Sequence, residues 1–163
     1  MAKDRNHLPS IIHSHEEYPQ PFSLGNQIHP ARLQTMAVKP QILCWQMCDA
    51  VHIDPATGKH YIMGCFSNIR VRQFPAQHPR MVWFLTLTDV KPGQHSLRIS
   101  FGPSMEDHQK VLERNFEAQN PLHKINLINE IHNLPLKGAG NYIIMVEVDD
   151  DPILVTNMGV NHP

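Results

Sequence analysis

The chain has 163 residues, 41% of them hydrophobic and 18% charged, with a formal net charge of −1. That is enough apolar side chain for one core, and so small a net charge argues against a nucleic-acid or anionic-membrane partner held by bulk electrostatics. No apolar run approaches the ~18 residues of a membrane span. The opening Met1-Ala2-Lys3-Asp4-Arg5-Asn6-His7 also lacks an apolar secretory core. The expected location is therefore the cytoplasm, with Cys44, Cys48 and Cys65 as reduced thiols.

Residues 1–37 hold Pro9, Pro19, Pro21 and Pro30 with His7, His13, His15 and His29, and show no sustained period. Such a segment does not bury enough surface to fold alone, which predicts an extended N-terminal arm. Yet Ile11, Ile12, Tyr18 and Phe22 are too apolar for a solubility tail. The expectation is that the arm packs on a sheet face, its own or a neighbour's, with the prolines limiting any edge pairing to short stretches. His13 and His15 are weak metal candidates, because a metal site needs three or four preorganised ligands and a Pro-rich arm offers little preorganisation.

From Val38 onward, β-type runs alternate with turn signals, which predicts a β-domain over 38–163. Asp54-Pro55-Ala56-Thr57-Gly58-Lys59 separates the runs Gln41–Ile53 and Tyr61–Arg72. Pro presets φ and Gly accepts positive φ, so this reads as a β-hairpin with a four-residue loop. Opposing Asp54 to Lys59 sets Met47 and Val51 against Phe66 and Ile62 on one side, with Trp45 beside Asn68. On the other side Cys48 faces Cys65, Ala50 faces Met63, His52 faces Tyr61 and Cys44 faces Ile69. The first side is the expected core face. The second is also largely apolar, which predicts that Cys48, Met63 and Cys65 meet a partner surface. Cys44 and Cys48 lie about 13 Å apart on an extended strand, too far for a disulfide or one zinc.

Further strands are expected at Met81–Asp89, His95–Phe101, Asn141–Asp149 and Ile153–Met158. The stretch 104–134 fits either a helix, opened by a capping-box-like Ser104-Met105-Glu106-Asp107, or two strands split by Asn120-Pro121. The all-β remainder favours two strands. Together these predict an all-β antiparallel β-sandwich, immunoglobulin-like or C2-like, of seven to eight strands. Asp149, Asp150 and Asp151 are the one dense charge run. They are weak calcium candidates, and a solvated acidic turn is the simpler reading.

Cys48-Asp49-Ala50-Val51, the turn 54–59, Gly64-Cys65-Phe66, Phe74-Pro75, Pro121-Leu122, Asn133-Leu134-Pro135 and Gly140-Asn141-Tyr142 form an ordered set. From about Gln41 to Val160 this set resembles an uncharacterised bacterial family, a domain of unknown function expected to be a small β-sandwich. The resemblance implies two strands in 104–134 and supplies no activity, while the arm 1–37 departs from the family pattern.

No Gly-x-Ser-x-Gly, Walker loop, Rossmann fingerprint or His-Glu-x-x-His occurs. The expectation is a non-enzymatic protein-interaction or assembly module without catalytic residue or cofactor, binding itself or another protein, and a homo-oligomer. A small-ligand or carbohydrate-binding sandwich, with Trp45 and Trp83 as platforms, is the alternative.

Overall fold

The computed structural model describes residues 39–163, so the expectations placed on residues 1–37, including His13, His15, Ile11, Ile12, Tyr18 and Phe22, lie outside them. The described residues form nine strands and no helix. In chain order these are β1 (Gln41–Ile53), β2 (His60–Cys65), β3 (Asn68–Arg70), β4 (Ala76–Thr88), β5 (Gly93–Gly102), β6 (Gln109–Ala118), β7 (Ile125–Leu136), β8 (Gly140–Val148) and β9 (Asp151–Asn161). One sheet runs β2-β1-β4-β7 and the other β3-β9-β8-β5-β6. Every pairing is antiparallel except β3 on β9. No helix among the described residues is long and apolar enough to cross a membrane.

The two-residue period of the strands decides what goes inside. In β4, Met81, Trp83, Leu85 and Leu87 fall on one side, and in β5 Leu97, Ile99 and Phe101 do the same; all are buried in one shared core. The sheets meet there directly, with the Trp83 and Phe101 rings 6.2 Å apart and Phe101 stacked on Tyr142 at 4.8 Å. Each such aromatic contact adds about 0.5–1.5 kcal/mol beyond the area it buries. The β4 register carries this side across the sheet, setting Met47 and Trp45 beside Trp83 and Leu85, and Leu127 and Ile131 beside Leu85 and Met81.

The stretch 104–134 contains two strands, β6 and β7, divided at Asn120-Pro121 as the two-strand reading expected. Ser104 does accept a hydrogen bond from Asp107 N at 3.1 Å, but it closes a local turn, with no helix behind it.

The expected strand Tyr61–Arg72 is a correction. It breaks after Cys65, and the chain crosses to the other sheet, where Asn68, Ile69 and Arg70 pair with Gly159, Val160 and Asn161. Two features accompany the break. Gly64 has φ +66, and Ile69 is drawn into the shared core. Cys44 therefore lies opposite Thr86 rather than Ile69, and Trp45 opposite Leu85 rather than beside Asn68.

Candidate functional site

The β1–β2 hairpin is built by its turn. Asp54 N donates to Lys59 O at 2.9 Å and Gly58 N to Asp54 O at 2.8 Å, with Gly58 at φ +68. The Asp54 carboxylate accepts from Ala56 N at 2.9 Å and from the Thr57 hydroxyl at 2.6 Å. Those bonds, Thr57's first, hold its carboxyl below the ordinary aspartate value. The turn fixes the register, so Cys48, Ala50, Val51 and His52 lie opposite Cys65, Met63, Ile62 and Tyr61, the pairing that the loop chemistry predicted.

Beyond Cys48 the hairpin leaves β4 behind. The His60 ring sits 5.6 Å from the ring of Phe84, a residue on the side of β4 turned away from the shared core. That contact places the far end of the hairpin over the outer side of the sheet. The opposite hairpin face is open, with Tyr61 52% and Met63 48% exposed. His52, His60, Tyr61, Ile62 and Met63, drawn from both sides of the hairpin, line a broad, shallow recess of about 700 Å³, and the His52 and Tyr61 rings lie 6.2 Å apart. Strand pairing keeps His52 and His60 off-register, yet the recess takes in both.

Of the three hairpin residues expected at an interaction surface, the structure exposes Met63 and Cys65 and buries Cys48. Cys48 is where β1 passes from one neighbour to the other, opposite both Val82 and Cys65. Its thiol points to Val82 O at 3.7 Å, and burial, followed by the nearby Cys65 sulfur, pushes its pKa up. All three cysteines are free thiols.

The acidic run makes a turn, and two of its three carboxylates, Asp149 and Asp150, have partners. Asp149 and Asp150 both have positive φ, 53° and 66°, and link Val148 to Asp151, the dihedral signs of a two-residue type I′ loop. Asp149 accepts from Ser96 N at 2.9 Å and lies 2.6 Å from His95 Nδ1. Asp150 lies 2.6 Å from Arg98 Nη1, and Asp151 opens β9. Among the described residues no group of three or more His, Cys, Asp or Glu side chains is placed to hold a metal ion.

Sequence reasoning missed His95, which is 54 residues from Asp149. Its Nε2 is 2.7 Å from Lys91 O. Both ring nitrogens thus face oxygen acceptors, an arrangement that the imidazolium satisfies and the neutral ring does not. Burial pushes the His95 pKa down, but the hydrogen bonds to Asp149 and Lys91 outweigh it and the net direction is up. For Asp149 burial pushes up, while the bonds from His95 and Ser96 prevail and the net direction is down. With both nitrogens engaged, His95 has none free to take a proton from a substrate. The tryptophans offer no platform either, for Trp83 is fully buried and Trp45 packs against it with ring centroids 5.8 Å apart.

A model for a family of unknown function, DUF6941, matches residues 43–161. The chain belongs to that family. The DUF6941 match spans β1 to the end of β9, the whole of both sheets but for two residues of β1. No functionally curated protein matches the chain. Among solved structures it is similar to a β-glucosidase from Listeria innocua, at TM-score 0.46 and 6% identity over 76% of this chain. It is also similar to a β-glucosidase from Kluyveromyces marxianus, at TM-score 0.41 and 13% identity over 61% of this chain. A third is the alkylpurine DNA glycosylase AlkC of Pseudomonas fluorescens bound to DNA containing an abasic site analog, at TM-score 0.42 and 11% identity over 76%. The chain spans 16%, 15% and 31% of those chains, respectively.

Proposed function

We propose that this DUF6941 domain is an antiparallel β-sandwich that serves as a non-enzymatic protein-interaction or assembly module in the cytoplasm, with the β1–β2 hairpin as its recognition surface. One observation carries the reading: the hairpin presents Tyr61 and Met63 half-exposed and side by side over a recess that is wide and shallow. Enclosed clefts take up most of a small ligand's surface, whereas flat apolar ground rimmed by polar groups suits another protein. Tyrosine and methionine are also among the residues enriched where proteins meet.

Affinity capture from the cells that make the protein tests this, using the full chain and a Tyr61→Ser/Met63→Ser variant. A species held by the first and lost by the second, a further copy of the chain included, supports the reading. Identical capture by both overturns it.

A further inference from the structure

We propose that the partner at this surface is a second copy of the chain, joined edge to edge through β2 about a two-fold axis that passes beside Tyr61. The inference rests on the interaction reading above and gives it an occupant and a register.

The argument begins with the edges. Among the described residues, β2 and β7 end one sheet and β3 and β6 the other. An open edge invites pairing unless charge, proline or brevity guards it. Strand β7 carries Glu130 and Pro135, and its Ile128 O accepts from Arg114 Nη1 at 3.2 Å. Strand β6 carries Lys110, Glu113, Arg114 and Glu117, and β3 has three residues and ends in Arg70. Strand β2, His60-Tyr61-Ile62-Met63-Gly64-Cys65, has no Asp, Glu, Lys or Arg and no proline. It is the one unguarded edge of the four.

Its backbone phase follows from the turn. Lys59 O accepts from Asp54 N, so the backbone groups of Lys59 face β1. Alternation then turns Tyr61 and Met63 toward β1, and leaves the N–H and C=O of His60 and Ile62 pointing to the open side. A second β2 running antiparallel meets those groups if His60 opposes Ile62 of the copy and Ile62 opposes His60. Each such pair exchanges two hydrogen bonds, four in all, and none requires Gly64 with its φ of +66. Tyr61 then faces Tyr61 of the copy in a non-hydrogen-bonded pair, where side chains approach most closely. Met63 lies against the aliphatic stem of Lys59, and no like charges oppose each other. The contact is self-complementary, which a two-fold interface requires, and it joins two four-stranded sheets into one of eight.

Sedimentation and light scattering on the full chain over a concentration series test this. The expected result is a concentration-dependent dimer that Ile62→Pro weakens at least tenfold, with the thermal transition close to that of the parent. Proline at 62 removes only an N–H that faces away from β1, a place where edge strands tolerate it. A chain that stays monomeric at every concentration overturns the proposal, as does a dimer indifferent to Ile62→Pro.

A second experiment covers the case in which that variant does not fold. In a Cys44→Ser/Cys65→Ser background, Tyr61→Cys places two thiols across the axis at Cα separations of roughly 4.5 Å, within the range a disulfide spans. Oxidised glutathione, reduced to two thiols as the pair gives up two protons and two electrons, is expected to link two chains. Met63→Cys in the same background is expected to stay unlinked. Equal linking of both, or of neither, overturns the register. A monomer that still captures another protein through Tyr61 and Met63 defeats this proposal and leaves the interaction reading standing.

Discussion

Asn129 sits on the core side of β7, 1% exposed, with its Nδ2 donating to Trp83 O at 2.9 Å and Leu127 O at 3.2 Å. The amide thus ties β7 to β4 beside the largest buried side chain. Asn129→Asp keeps the shape, removes both donors and puts a carboxylate against two carbonyl oxygens. The expected cost is about 3 kcal/mol or more at neutral pH, shrinking on acidification as the carboxyl takes up a proton; urea unfolding at two pH values measures both. The His95–Asp149 pair predicts a different pH response. The folded His95 pKa lies above its unfolded value, so its contribution is complete below about pH 6.5 and is lost as pH rises through the folded value. The folded Asp149 pKa is lowered, so its share is present above about pH 3.9 and is lost as pH falls through the folded value. The pair therefore contributes most between those limits. His95→Gln is expected to flatten the fall in melting temperature between pH 6 and pH 8; an unchanged slope would refute the assignment.

At the scale of the element, the β1–β2 hairpin shows what was legible in the residues and where legibility stopped. Pro55 and Gly58 announce the loop and Asp54 its closing bonds, so register follows from local chemistry alone. Asp54→Ala is expected to destabilise the hairpin through loss of the Ala56 and Thr57 bonds. Gly58→Ala is expected to cost ~1 kcal/mol or more at its positive φ, both read by chemical denaturation. The same register places Cys48 opposite Cys65. Oxidised glutathione should couple them within one chain, slowly at neutral pH because burial keeps the Cys48 thiol protonated, while Cys44 stays free. Peptide mapping that finds Cys44 in the bridge would contradict this. What local chemistry does not carry is the end of pairing. Nothing between Phe66 and Asn68 says that the next strand joins β9 in the other sheet, because that choice is made by Gly159 and Val160, more than ninety residues away. The His95–Asp149 contact is illegible for the same reason, whereas the two-residue period of a strand is enough to put Asn129 on the same side as Ile125, Leu127 and Ile131.

For the molecule as a whole, composition sets residues 1–37, rich in Pro and His, apart from the residues that form the two sheets. Among the described residues, the buried side chains of the shared core fall between Met47 and Val160, and the strand pairings between Gln41 and Asn161. A chain lacking residues 2–37 is therefore expected to keep its fold, with one cooperative thermal transition and an unchanged near-ultraviolet signal from Trp45 and Trp83. Loss of that transition would show that the sheets depend on the N-terminal residues. The arm itself is predicted on composition to contribute to assembly, since Ile11, Ile12, Tyr18 and Phe22 supply apolar surface that a solvated tail does not need. Its removal should then lower the mass in solution or raise binding of an apolar dye. A truncated chain that matches the full one in mass, dye binding and solubility would reduce the arm to a tail. Assembly would then rest on the hairpin alone, where six residues of open edge and one pair of apolar side chains favour a weak, reversible contact over an obligate one.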